Sequence, residues 1–340
     1  GRPQPAARAG AAARGRPSRK RYAGAGGGAG GPVSSRAVPR RPDFFILGAP
    51  KCGTTALSEY LREHPRVFVS QPKEPHYFCT DFDYYYAPGQ RTEAHYLRLF
   101  DGADERHLAA GEASVWYLYS RDAARNIRAF DPDARVIVMV RNPVELVPSL
   151  HSQLRYMLDE DEPDVEAAWR LQGARRRGER VPPTARVPGF LQYAEVGRLG
   201  AQLERVYESF PRERVRVIVF DDLREDTAAV YRETLAFLGV PDDGRAAFPR
   251  VNENKVHRDE RLARLTQRPP RPLVAVAQGV KRVAGIERLG LLDRVRRRNR
   301  QVTSRGEPSP AFVEELKDAF RDDVALLSEL TGRDLSGWTA

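Results

Sequence analysis

Apolar positions along the chain follow two alternating patterns. Short, nearly continuous apolar runs read as β-strands: DFFILGAP (43–50), RVFVS (66–70), RVIVMV (135–140) and RVRVIVFDDL (214–223), with HLAAGEASVWYLY (107–119) a strand running into a loop. Between them lie stretches with helical spacing. In TTALSEYLREHP (54–65) Leu57, Tyr60 and Leu61 share one face and Pro65 marks the end. TEAHYLRLF (92–100), RDAARNIRAFDPDA (121–134, stopped by Pro132) and VELVPSLHSQLRYMLD (144–159, with Pro148 in its early turns) also read as helices. So do YAEVGRLGAQLERVYESFP (193–211), DTAAVYRETLAFLGV (226–240) and the closing PSPAFVEELKDAFRDDVALLSELTG (308–332). RVIVMV has the two-sided apolarity of a central parallel strand. Strands alternating with helices imply right-handed βαβ units, hence an α/β fold with a central parallel sheet flanked by helices. DEDEPD (159–164) reads as a solvent-facing acidic loop, residues 173–189 as an irregular insertion, and 250–310 is basic and Pro-interrupted without a legible pattern. No internal repeat is present.

Charge divides the chain. Residues 1–42 hold ten Lys or Arg and no acid, whereas the other 46 basic residues are matched by 46 acidic ones, so the net charge of +10 belongs to this segment. Rich in Ala, Gly, Arg and Pro and poor in large apolar residues, it is expected to be a disordered basic tail, with the folded domain spanning 43–340. A basic tail can touch nucleic acid or anionic lipid, or simply be a solvated extension. It has no apolar stretch of the length a secretory signal uses, and nowhere does the sequence hold a run of about 18 apolar residues, so no membrane span is expected. Two cysteines, Cys52 and Cys79, are too few for a disulfide framework, which favours a reducing, cytoplasmic compartment.

Candidate chemistry sits first in the loop after the opening strand. In a parallel α/β sheet, ligands bind beyond the carboxyl ends of the strands, and a helix N-terminus there favours an anion. Ala49, Pro50, Lys51, Cys52, Gly53, Thr54 and Thr55 form such a loop: Gly53 permits close backbone approach, the threonines add hydroxyls, and Lys51 adds a mobile charge. This is not a Walker A loop, because Thr54 stands where that motif requires lysine. A tight turn with a surface lysine is the plain alternative. A second candidate follows RVIVMV: Arg141 at the strand end and Ser149 eight residues later. About 7 residues make two helical turns, so the serine can face back toward the strand end, and an Arg fork with a hydroxyl suits a monophosphate. A surface ion pair would explain Arg141 equally well. Taken together, the two sites would accept a nucleotide carrying phosphate at both ends.

The motifs GAPKCGTTAL, KEPHYF, GEASVWYL, VIVMVRNPVELVPSLHSQ, FPRERVRVIVFDDLREDT with LAFLG, and LTGRDLSGW run in order from about residue 43 to 338. With them the chain resembles the PAPS-dependent sulfotransferases, nearest to the heparan-sulfate-type carbohydrate sulfotransferase domain and its bacterial relatives. The resemblance implies a P-loop-like sulfotransferase fold, a donor that is 3′-phosphoadenosine 5′-phosphosulfate (PAPS; product PAP), and catalysis without a metal. It assigns the 5′-phosphosulfate to the 48–55 loop, the 3′-phosphate to Arg141 and Ser149, and the catalytic carboxylate to Glu74. The residues agree: Pro75 biases Glu74 toward an extended conformation, a carboxylate there can act as general base, and His76 would point to the same side of an extended segment. The alternative reading makes Glu74 an ion-pair partner of Lys73 and His76 a packed residue. Lys51 with the loop amides would stabilise the departing phosphate.

The chain also departs from the family pattern. Ala113 stands where heparan-type enzymes commonly carry a lysine, and Lys73 is a candidate replacement. RVNENKVHR (250–258), with Asn252, Lys255 and Arg258, is the nearest match to a late loop closing over the nucleotide. The aromatic stretch 83–89 with Trp116 and Tyr117 would offer sugar-stacking faces or ordinary packing. The expected acceptor is a carbohydrate or glycosylated small molecule, chosen by loops near 80–95, 155–192 and 255–308. A P-loop kinase or NTPase is the rival enzyme reading. A nucleic-acid module built on the tail and RVRRRNR (294–300) lacks any recognition motif and is not expected.

Overall fold

A computed structural model of the protein describes residues 40–83, 91–249, 255–257, 262, 299–302 and 306–340. Five strands form one parallel sheet: β1 (Phe44–Ile46), β2 (Val67–Val69), β3 (Ala109–Ala113), β4 (Arg135–Val140) and β5 (Val215–Val219). Their order is β2-β3-β1-β4-β5. The middle position belongs to the short β1, with Phe45 level with Glu112 of β3 on one side and with Val136 of β4 on the other. RVIVMV, read as the central strand, is interior but sits one place over, between β1 and β5. Phe44, Phe45 and Ile46 are fully buried, as are Val136 to Val140, because helices cover both faces of such a sheet.

From β1 the chain crosses to the β3 side, while from β4 it passes outward to β5. The connections therefore diverge between β1 and β4, the crevice where open α/β sheets bind ligands. Two helices start at its rim: α1 (Thr54–Glu63) after β1, and α4 (Pro143–Tyr156) after β4. The latter begins with proline at its first turn, and the Asn142 side chain accepts from the Val144 amide. Between them in sequence lie α2 (Glu93–Leu97) and α3 (Ala123–Phe130), both at the expected places.

Two expectations fail for tertiary reasons. The stretch 193–211 is not one helix but α7 (Tyr193–Gly197) and α8 (Leu199–Ser209), after α5 (Val165–Arg170) and α6 (Gln172–Arg176). The break is set from far away in sequence. Asp323, on the long helix Pro310–Thr331, accepts from the Gly200 and Ala201 amides at 2.8 and 3.0 Å and so caps α8. The acidic loop, in turn, does not face solvent throughout: Asp159 and Glu160 are buried. Arg175 grips Glu160 through two bonds of 2.6 and 2.7 Å, Tyr193 donates to the same carboxylate, and Arg186 pairs with Asp159 at 2.6 Å. The presumed irregular insertion is thereby tied at two points to the end of α4. The remaining helices are α9 (Phe220–Glu225), α10 (Thr227–Leu238) and the Asp323-bearing Pro310–Thr331, here α11. Short strands β6 (Lys255–His257) and β7 (Arg300–Val302) pair antiparallel, with β6 alongside α4. Among the described residues no helix is long and apolar enough to cross a membrane.

Breaking a buried pair leaves one charge uncompensated, at a penalty of about 3–5 kcal/mol. Glu160→Ala is expected to lower the unfolding free energy by that order in urea titration, whereas Arg177→Ala, which breaks an exposed pair with Glu179, should change it by under about 1 kcal/mol.

Candidate active site

The loop after β1 is a tight cradle. Gly48 (φ 120°) lies so close to the next strand's exit that a Cβ would fall 2.1 Å from the Val115 carbonyl oxygen. Gly53 (φ 87°) caps α1 without a side chain, leaving the first-turn amides uncovered by any side-chain acceptor. Lys51 itself has φ 66°, rare for a residue with a Cβ. Its ammonium donates to Gln153 Oε1 at 3.2 Å, across the crevice on α4. Ala49 and Pro50 are buried. Two loop amides are already engaged, Ala49 donating to the Met139 carbonyl of β4 and Cys52 to the Ala49 carbonyl within the loop. Burial pushes the Cys52 thiol up to about 12, so it is a packing group and not a nucleophile. Thr54 is buried and Thr55 partly exposed at the helix start.

Arg141 leans across the crevice: Nη1 donates to the Lys51 carbonyl at 3.4 Å, and the guanidinium lies 4.8 Å from the Phe220 ring centroid. It also forms an ion pair with Glu145, one turn on, which is 46% exposed. Ser149 is fully buried, and its hydroxyl has no hydrogen-bond partner among the described residues. Arg141, Glu145, Ser149 and Gln153 recur every fourth position, so α4 turns a single polar stripe to the crevice. The two sequence-derived anion sites thus face each other across one crevice.

Lys73, Glu74 and His76 lie in the loop after β2. Neither Glu74 (φ 66°) nor His76 (φ 49°) is extended, contrary to the inference from Pro75. Both are left-handed, and backbone contacts with the segment after β3 hold them so. The amides of Glu74, His76 and Phe78 donate in turn to the Ala113 carbonyl (3.1 Å), Ser114 Oγ (3.1 Å) and Tyr117 Oη (3.3 Å). The two side chains still meet, His76 Nε2 lying 3.6 Å from Glu74 Oε2. Lys73 Nζ donates to Glu74 Oε1 at 2.6 Å and to Thr54 Oγ1 at 3.4 Å, linking this carboxylate to the helix start beside Lys51. Burial alone would raise the Glu74 carboxyl; the neighbouring His76 imidazole and the Lys73 ammonium outweigh it and pull it down to about 2. Burial lowers His76, against the pull of Glu74, which keeps the imidazole neutral near pH 7.

Sequence reasoning missed Glu112, fully buried on β3 and bonded to Tyr96, Ser114 and Tyr117. Its signal was a lone carboxylate inside the apolar run AAGEASV. In the sequence Lys73 is legible only as a candidate replacement for the family's lysine or as an ion-pair partner of Glu74; its second contact, to Thr54, is not foreseen there. Trp116 stacks on Phe190 at 3.5 Å and Tyr117 is buried, so both belong to packing and not to a sugar-facing surface. Lys255 opens β6, whereas Asn252, Arg258 and residues 84–90 lie outside the described residues.

A family model described as "Sulfotransferase domain" matches residues 41–258, from the residues before β1 to the end of β6. The chain belongs to the sulfotransferase family. This sulfotransferase superposes on a solved sulfotransferase from Alicyclobacillus acidocaldarius with TM-score 0.64 and 30% identity, covering 88% of this chain and 100% of that one. It is 37% identical over 128 residues to human heparan sulfate glucosamine 3-O-sulfotransferase 6, covering 37% of this chain and 35% of that protein. Human carbohydrate sulfotransferase 15 is 33% identical over 154 residues, 31% of this chain and 26% of that one. The chain therefore spans only about a third or less of these curated relatives. The kinase reading gives way to a P-loop-like sulfotransferase fold.

The ligand-free Glu74 should titrate near pH 2. Its folded value lies below the ordinary 4.5, so the stability it contributes is present above that value and lost as pH falls toward 2. In Lys73→Met the Glu74 midpoint should move upward, read by carboxylate-selective NMR; an unmoved midpoint would show that Lys73 does not govern this carboxylate.

Proposed function

We propose that this sulfotransferase moves the sulfuryl group of PAPS onto a hydroxyl or amine of a carbohydrate-type acceptor. The observation that carries the proposal is the pair of anion sites facing each other across the β1–β4 crevice, with the Lys73–Glu74 pair beside the first. A bisphosphorylated adenosine has an anion for each. Arg141 and the Ser149 hydroxyl, without a partner among the described residues, fit its 3′-phosphate. The glycine-lined loop, Lys51 and the uncapped start of α1 fit the 5′-phosphosulfate.

The donor supplies an electrophilic sulfur whose bond to the 5′-phosphate oxygen breaks as the acceptor oxygen or nitrogen bonds to it. The acceptor's proton goes to Glu74. In the ligand-free arrangement Lys73 depresses the basicity of Glu74. Drawing Lys73 toward donor oxygens at the Thr54 end would restore that basicity as the sulfuryl group arrives. Lys51 and the α1 amides then hold the growing phosphate charge, a role that needs fixed donors and not motion. His76, neutral and against Glu74, orients the base. The heparan sulfate and carbohydrate sulfotransferases among its relatives support a sugar-bearing acceptor.

The test is a screen with labelled PAPS against heparosan-type oligosaccharides and aryl glycosides. Glu74→Gln should lose roughly 10²–10⁴-fold in kcat with PAP affinity unchanged. Arg141→Ala should weaken PAP binding by about ten- to hundredfold, the range for a hydrogen-bonded charge. Full transfer by Glu74→Gln would refute the base; failure of the wild type to bind PAP would refute the donor.

A further inference from the structure

We propose that Glu112 is a positioning residue for catalysis: its carboxylate fixes the direction of two hydroxyl hydrogen bonds, and through them the backbone of residues 74–78. The proposal rests on the assignment of Glu74 as base.

Three hydroxyls donate to the Glu112 carboxylate. Ser114 Oγ reaches Oε2 at 2.6 Å, while Tyr117 Oη and Tyr96 Oη reach Oε1 at 2.6 and 3.0 Å. A hydroxyl has one proton to give. Once Ser114 and Tyr117 have given theirs to Glu112, each can only accept from its other neighbours. What they accept are the amides of His76 and Phe78. With Glu74 N–H on the Ala113 carbonyl, alternate amides of the catalytic loop are pinned to consecutive features of the β3 exit. Left-handed non-glycine residues persist where surrounding contacts over-determine them, and Glu74 and His76 are two such residues.

An ionised carboxylate is the group suited to this task, because it is acceptor-only. Glutamine has the same shape but one donor end. The hydroxyl facing that end must turn its proton away, toward an N–H that also needs an acceptor. Glu112→Gln therefore tests hydrogen-bond polarity at constant volume. Stability alone does not explain a carboxylate here: burial pushes Glu112 up to about 7, against the opposing pull of its three hydroxyl partners and of Lys73. Protonated Glu112 has one donor and one acceptor oxygen, as glutamine does, so the pinning is complete only above that pH. The groups facing it are Lys73 and Cys79 from the loop, Tyr96 from α2, and Ser114 and Tyr117 from the exit of β3.

The experiment compares wild type, Glu112→Gln, Ser114→Ala and the double variant at pH 8, by hydrogen exchange of the 74–78 peptide, PAP affinity and kcat with PAPS. In Glu112→Gln the loop amides should exchange at least about tenfold faster, and kcat should fall roughly ten- to hundredfold with PAP affinity within about twofold. Ser114→Ala should add little to Glu112→Gln, because both act through one chain of bonds. At pH 6 the gap between wild type and Glu112→Gln should shrink. Unchanged exchange and kcat, fully additive losses, or a pH-independent gap would overturn the proposal. If Glu112→Gln does not fold, Ser114→Ala and Tyr117→Phe carry the test, since both keep the carboxylate; wild-type exchange and kcat in both would overturn it. Exchange needs no substrate, so loosened loop amides in a chain that fails to bind PAP would refute the functional reading while upholding the pinning.

Discussion

Three backbone amides, those of Glu74, His76 and Phe78, bond to the exit of β3 and hold the chain in a conformation it would not otherwise keep. Two left-handed residues within three positions are unfavourable in isolation. Their reward is directional: a carboxylate, an imidazole and the Lys73 ammonium converge beside the start of α1 instead of spreading along an extended strand. The sheet supports this because β3 lies directly beside β1, so the loops leaving both strands end at one rim.

The same rim brings together the two candidate anion sites. Divergence of the connections between β1 and β4 opens a crevice, and each of its two walls begins with a helix, α1 or α4, preceded by a basic residue, Lys51 or Arg141. One wall offers amides and Lys51. The other offers the i, i+4 stripe of α4, with Arg141 reaching back to the Lys51 carbonyl. In the ligand-free state internal partners hold both charges, Gln153 for Lys51 and Glu145 for Arg141. An anion bound there would exchange these partners for its own, so its affinity would reflect the difference between two sets of bonds.

The architecture was legible in the sequence because strand and helix periods are local and the apolar runs were clean. The placement of Lys51, Arg141 and Ser149 around one crevice was legible for a related reason: in a parallel sheet the loops that follow neighbouring strands end at one rim, so a residue's place in its motif fixes its place in space. What was hidden depends on distant partners. The break before α8 follows from Asp323, more than a hundred positions away, and the burial of Asp159 and Glu160 from arginines in a segment that looked irregular. The φ angles of Glu74 and His76 contradict the local bias before proline because the exit of β3 overrides it. Glu112 looked like an intrusion in a strand until its hydroxyl partners, contributed by separate segments, were in view.

The paired anchors Arg175–Glu160 and Arg186–Asp159 have an evolutionary corollary. They clamp the root of the 159–190 lobe beside the crevice, while Arg176, Arg177 and Glu179, further along it, project outward. A segment fastened at its base can trade its outer residues without disturbing the machinery beneath. A lobe built this way separates positions that are free to vary from those that hold the fold.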